Sequence, residues 1–237
     1  MKRCRFKRAY IDLEATCWAD QIDPAGEPQS VQSMEIIEVG CALTTRQGEL
    51  LDSCSFLVRP TRYPELSEFC QALTGITQDM VDSAPTFPDA IAALNSWLGQ
   101  PADSFIWCSW GNYDRLHIVE QCQQEGVAAD VMSYPHLNLK RIWRRTTGQK
   151  RRNGLASALA YHQLDFEGRP HRGVDDARNM VRLLGVFTQV NTRATELICL
   201  RLGGTRVLCA FCTVCEQQNL LDDSSISTCY FIGSFFT

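Results

Sequence analysis

Apolar residues gather into short runs whose spacing marks the elements of the chain. Tyr10 to Leu13 reads as a buried first strand, Glu35 to Leu43 as a second, and Leu51 to Val58 as a third. The Gln47-Gly48-Glu49 turn joins the last two and Arg59-Pro60 ends the third, so the three form a meander. A fourth strand is the run Phe105-Ile106-Trp107-Cys108-Ser109-Trp110. Helical spacing predicts helices over 65–73, 89–98, 112–124, 136–147, 153–163 and 174–190. Pro88 is a good first helical position, Thr74-Gly75-Ile76-Thr77 breaks the first helix, and Asp79 to Val81 reads as a short turn. Residues 15–34 make a polar loop with Asp20, Pro24, Gly26 and Pro28, expected close to the site in which the first strand ends.

Composition narrows the class. The 237 residues are 45% hydrophobic and 21% charged, as in a globular protein with one substantial core. A net charge of −4 gives no global attraction to nucleic acid, so any such binding needs a local basic patch or bound metal. The basic start, Met1 to Arg8, runs into the first strand without the apolar core of a signal peptide. No apolar stretch is long enough to span a bilayer, so no membrane partner is expected. Twelve cysteines are scattered through the chain, and Cys41, Cys54, Cys70, Cys108 and Cys122 read as small buried hydrophobes. A reducing, intracellular and cytoplasmic location is the expectation that follows.

Candidate chemistry begins at Asp12-Leu13-Glu14. Side chains alternate along a strand, so Asp12 and Glu14 share one face, about 7 Å apart, while Leu13 packs on the other. Two like charges on an apolar strand repel unless a cation lies between them, which suggests a divalent-metal site of hard oxygen ligands, Mg2+ or Mn2+. A solvated strand end is the alternative. Asp114 opens a helix just beyond the fourth strand, at the carboxyl edge where open α/β folds place ligands, and is a candidate third ligand. It could equally be a carboxylate that complements the helix dipole. Lys140, Arg141, Arg144, Arg145, Lys150, Arg151 and Arg152 form a local basic run that could meet a phosphate backbone or only water. Finally, the loop from Gly168 to Gly173 holds His171 near the helix that carries Asp175 and Asp176, an arrangement that suits a general base beside a metal ligand.

Together, D-x-E on the first strand, an Asp after a later apolar strand and H-x4-D on a late helix resemble the DEDDh 3′→5′ exonucleases. The runs Glu14-Ala15-Thr16-Cys17, Glu35-Ile36-Ile37-Glu38, Leu66 to Cys70, Leu73 to Asp79, Thr86-Phe87-Pro88 and Gly168 to His171 look like the subgroup of histone-mRNA and small-RNA 3′-end exoribonucleases and their bacterial relatives. The resemblance covers about residues 7–190 and implies one exonuclease domain there, with an α/β, ribonuclease-H-like fold. Its mixed sheet would have three antiparallel strands, at least one parallel strand and helices around it; a fifth strand is poorly marked.

The resemblance also implies roles. Asp12, Glu14, Asp114 and Asp176 would hold two divalent ions about 4 Å apart, and His171 would deprotonate the attacking water. Phe69 and Tyr113 match the aromatic positions that sandwich the terminal base, and the Thr74-Gly75-Ile76 backbone would line the pocket. Tyr113 stands where animal members are expected to have tryptophan. Asp175 is a neighbouring or capping residue, and Glu35 and Glu38 could orient water, although one could simply face solvent. The substrate would be single-stranded nucleic acid, RNA rather than DNA, and the product nucleoside 5′-monophosphates. A catalytically inactive nucleic-acid-binding module of the same fold is the alternative, and a non-nuclease metal phosphoesterase is a third reading.

Residues 191–237 fall outside the resemblance and form a cysteine-containing extension of unknown role. Cys209, Cys212 and Cys215 are spaced C-x2-C-x2-C, and Cys199 or Cys229 could complete a zinc or iron–sulfur site, or the thiols could be merely present. The apolar ending Tyr230 to Thr237 suggests packing on the domain or on a partner subunit, so a homodimer is a further expectation.

Overall fold

A computed structural model of the chain describes residues 7–45, 47–99, 105–150 and 153–190. The strands are β1 (Lys7–Ala15), β2 (Ile36–Thr45), β3 (Leu50–Leu57), β4 (Phe105–Ser109) and β5 (His136–Asn138). The helices are α1 (Glu68–Thr74), α2 (Gln78–Asp82), α3 (Phe87–Leu98), α4 (Tyr113–Glu125), α5 (Leu139–Thr147), α6 (Leu155–Tyr161) and α7 (Gly173–Val190). They build one five-stranded sheet in the order β3-β2-β1-β4-β5. The β1–β2 and β2–β3 pairs are antiparallel, whereas β4 runs parallel to β1 and β5 parallel to β4. This is the expected mixed α/β sheet flanked by helices.

Two elements differ from the sequence reading. The segment 136–147 is not helical throughout: His136–Asn138 pairs with β4 as the second parallel strand, and the helix starts at Leu139. Three residues are too few to show a two-residue period, and Asn138 ends the strand by capping α5, its side chain accepting from the Arg141 N–H at 2.8 Å. The turn expected at 79–81 is instead the short helix α2, capped by the Thr77 hydroxyl. The C-x2-C-x2-C tail and the basic residues Arg151 and Arg152 lie outside the described residues.

Strand alternation divides the core between the two faces of the sheet. Ala9, Ile11 and Leu13 pack with Val39, Cys41 and Trp107 against α3 and α4. Tyr10 packs on the opposite face with Ile106, Cys108 and residues of α5, α6 and α7, among them Trp143, Leu159 and Met180. Asp12 and Glu14 follow Tyr10 at two-residue spacing, so they emerge on the α7 side.

Helix α7 reaches them through a contact between two glycines. Asp12 pairs across the sheet with Gly40 of β2, and a Cβ built on Gly40 would lie 1.8 Å from the Gly173 carbonyl carbon and 2.1 Å from the Val174 nitrogen. A Cβ on Gly173 would in turn sit 2.8 Å from the Asp12 carbonyl oxygen. Neither position has room for a side chain. The first turn of α7, which carries Asp176, therefore lies directly on β1 and β2.

Gly40→Ala should destabilise the protein by about 3 kcal/mol or more, because backbone rather than a flexible side chain must move. Gly185→Ala, in the same helix and with nothing among the described residues within 4 Å of an added Cβ, should instead stabilise by about 0.5–1 kcal/mol. Urea unfolding of both variants checks the opposite signs; an unchanged midpoint for Gly40→Ala would mean that α7 does not sit so close.

Candidate active site

Three of the predicted acids converge. Asp12 and Glu14 from β1 and Asp176 from the first turn of α7 offer carboxylate oxygens that all lie within 4.8 Å of one another. Asp114, in the first turn of α4, reaches the same strand: its Oδ1 accepts from the Leu13 N–H at 3.2 Å, between the two β1 acids. Asp114 lies outside the tight group of three but is hydrogen-bonded to the backbone that holds it.

The electrostatics follow from burial and crowding. Burial, then the charges of Asp114, Asp176, Glu14 and Glu38, hold the Asp12 carboxyl well above the ordinary range. Burial, with Asp176, Glu38 and Asp114, pushes Glu14 up to about 9. Burial pushes Asp176 up to about 7, opposed by the backbone N–H groups of His171 and Arg172. Asp114 is also raised by burial, against hydrogen bonds from its own N–H, Leu13 N–H and the Ser109 hydroxyl, and against the charge of Lys140. Carboxylates in this condition bind either protons or a cation. Hard oxygen donors at this spacing fit a divalent ion, the cofactor class of DEDDh exonucleases.

Glu38 is the hidden support of the cluster. It is 0% exposed, and its carboxylate accepts from the Ser55 hydroxyl at 2.5 Å, from Arg172 Nε at 3.2 Å and from the Gly173 N–H at 3.0 Å. It thus grips the residues that join the His171 loop to α7. Neither Glu35 nor Glu38 faces solvent, and Glu35 does not serve the acids at all. Its carboxylate accepts from the backbone N–H groups of Thr61, Arg62 and Tyr63, at 2.8–3.0 Å, and so fixes the loop before α1.

The loop that carries His171 is stretched between the acids and α1. His171 is exposed, takes φ +61°, and donates its backbone N–H to Asp176 Oδ2 at 2.9 Å. Asp175, one residue from the ligand candidate, accepts from the Arg169 N–H at 3.0 Å and from the Arg178 guanidinium at 3.3 Å, a local capping role. Arg169 reaches back to the Ala72 carbonyl at 2.7 Å and lies over Gly75, where a Cβ would come within 2.6 Å of its guanidinium. Sequence reasoning missed Arg169 because its partner lies 97 residues away.

The remaining candidates rim the acids. Phe69 and Tyr113 are 41% and 42% exposed, unusual for large rings. Phe69 stands on α1, whose N-cap Ser67 accepts from the Cys70 N–H and donates to the Cys17 carbonyl, tying α1 to the segment after β1. The loop at 15–34 thus begins beside the site, as expected. Thr74 is buried, donating to the Cys70 carbonyl and accepting from the Ile76 N–H, and Ile76 packs into the core. Only the Thr74-Gly75-Ile76 backbone is left to meet a ligand. In the basic run, Lys140 acts on Asp114, Arg144 bonds the Gln149 and Lys150 carbonyls, and Arg141, Arg145 and Lys150 are exposed.

Comparison with known proteins fits this arrangement. The RNase T exonuclease family model matches residues 10–184. Human 3′-5′ exoribonuclease 1 is 32% identical over 198 residues, covering 77% of this chain and 54% of that protein. The chain spans about half the length of the curated relatives it matches. Among solved structures, the nuclease domain of 3′hExo, a DEDDh family member bound to rAMP, superimposes with a TM-score of 0.68 at 29% identity. It covers 80% of this chain and 95% of that one. A 3′-exonuclease solved in 3′-end-specific recognition of a histone mRNA stem-loop gives a TM-score of 0.64 at 28% identity, over 78% of this chain and 83% of that one.

The raised carboxyls give a signed pH dependence. Their folded pKa values, about 9 for Glu14 and about 7 for Asp176, lie above the ordinary 4.5 and 3.8. The folded state then holds protons that the unfolded state has released, and stability falls as pH rises through this window. Without divalent ions, Tm should drop by several degrees from pH 5 to pH 9. Mg2+ or Mn2+ should raise Tm more at pH 8 than at pH 5.5, and Asp12→Asn should flatten the pH slope. Differential scanning calorimetry reads all three; a Tm that climbs with pH would contradict the cluster.

Proposed function

The chain belongs to the RNase T exonuclease family, and on that premise we propose that it is a divalent-metal-dependent 3′→5′ exonuclease of single-stranded ends, RNA in preference to DNA. The observation that supports this best is the meeting of Asp12, Glu14 and Asp176 within 4.8 Å, with Asp114 bonded to the intervening backbone. Residues 7–190 are the catalytic domain in this reading, and residues 191–237 an appended extension. The setting is intracellular and reducing, consistent with the free thiols of Cys17, Cys41, Cys54, Cys70, Cys108 and Cys122.

Each group has a part in hydrolysis. Asp12, Glu14, Asp114 and Asp176 would hold two ions, Mg2+ or Mn2+. When bound, such ions neutralise the scissile phosphate and stabilise charge on the attacking and leaving oxygens. Phosphoryl transfer needs little covalent help, so the chain's own contribution is positioning. Phe69 and Tyr113 stack the terminal base, at about 1–3 kcal/mol per base, and the Thr74-Gly75-Ile76 backbone borders it. His171 accepts a proton from water on its imidazole as the water attacks phosphorus. The bond from phosphorus to the 3′ oxygen of the preceding nucleotide breaks, which frees a nucleoside 5′-monophosphate and leaves a new 3′ hydroxyl. Support for RNA comes from the relatives, one solved with rAMP and another on a histone mRNA stem-loop.

Single-stranded RNA and DNA of one sequence, labelled at either end, test the reading. With Mg2+ or Mn2+ the products should ladder from the 3′ end, RNA faster than DNA, and EDTA or Asp12→Ala should abolish them. His171→Asn should lower kcat about 10²–10⁴-fold with little change in KM. Binding of both strands without cleavage under any metal would replace the enzyme by the nucleic-acid-binding module.

A further inference from the structure

Tyr113 is the only ring of the proposed base sandwich with a polar handle, and the structure shows what holds it. Its hydroxyl lies 3.0 Å from Nδ1 of His117, one helical turn along α4, and the two rings meet edge to face at 5.3 Å. His117 is completely buried, and its Nε2 lies 3.1 Å from the Met34 carbonyl oxygen. A carbonyl can only accept, so Nε2 carries the proton, and burial keeps the ring neutral by pushing its pKa down. Nδ1 is then left as an acceptor, and the bond from Tyr113 can run in one direction only: O–H to Nδ1. The backbone just ahead of β2 thereby sets the tautomer of His117, and His117 sets the orientation of an aromatic ring that is 42% exposed at the site.

We infer that His117 is a positioning residue for the 3′-terminal base, fixing the Tyr113 ring for stacking through a relay from the Met34 carbonyl. The inference rests on the exonuclease reading above. It gives Tyr113 a task that Phe69 does not share, since no partner fixes the Phe69 ring in this way among the described residues. A tyrosine tethered at its hydroxyl loses less freedom on binding a base than a free ring would, so the relay acts on substrate affinity rather than on the chemical step.

Steady-state kinetics on a short single-stranded RNA, with thermal unfolding of each variant, test this. His117→Phe and Tyr113→Phe should each raise KM about fivefold, the worth of one hydrogen bond at about 1 kcal/mol, with kcat within twofold of the parent. The double variant should show no more than either single one. His117→Asn, whose Oδ1 can take the place of Nδ1, should restore KM while Tm still falls for want of the Met34 bond. A purely structural histidine would instead lower Tm and the active fraction in every variant and leave KM alone, which would overturn the inference. The 15N shifts of the His117 imidazole provide an arm that needs no activity: protonated Nε2 and bare Nδ1 are expected, and protonated Nδ1 would refute the relay. If the parent degrades no RNA, the exonuclease reading fails, and the imidazole spectrum still decides the tautomer.

Discussion

The contact of Gly40 with Gly173 is the constraint on which the site depends. A helix normally stands off the sheet it covers, with side chains between them. Here two missing side chains let the first turn of α7 rest on the backbone of β1 and β2. Because Gly40 is the cross-strand partner of Asp12, that contact falls opposite the first acid, and Asp176 arrives beside it. Two residues along β2, Glu38 binds the Arg172 guanidinium and the Gly173 N–H, so the same strand that admits the helix also holds its end.

The site assembled this way works against the fold. Asp12, Glu14, Asp114 and Asp176 are all raised by burial, and Asp12 and Glu14 also by the charges of the others. Such a group persists because the core on both faces of the sheet over-determines the backbone that carries it. Its protons at low pH and a cation at high pH are alternative means of relieving the same repulsion. Glu38, more deeply buried than any of the four, differs in having a fixed cation in Arg172 and a hydroxyl in Ser55, and it acts as a fastener.

Much of this was legible in the sequence, for reasons that differ by element. The alternation around Leu13 placed Asp12 and Glu14 on one face, and the apolar run before Gly111 placed Asp114 at a strand end. The order of the acids and His171 supplied the family. What the sequence did not show depends on contacts between distant segments. The strand at 136–138 is too short to have a period. Gly40 reads as any small residue in an apolar run until the helix above it is seen. Glu35 and Glu38 look alike, one just before β2 and one within it, yet one holds a loop and the other the end of a helix. Arg169 and His117 are single polar residues whose partners, Ala72 and Met34, are 97 and 83 positions away.

The central claim is that Asp176, brought in over Gly40, completes a cation site with Asp12 and Glu14. Crystals grown with Mn2+ and measured at a wavelength where manganese scatters anomalously test it most directly. The account predicts anomalous density touching carboxylate oxygens of Asp12, Glu14 and Asp176. Manganese bound elsewhere, with that cluster empty at saturating Mn2+, would contradict it.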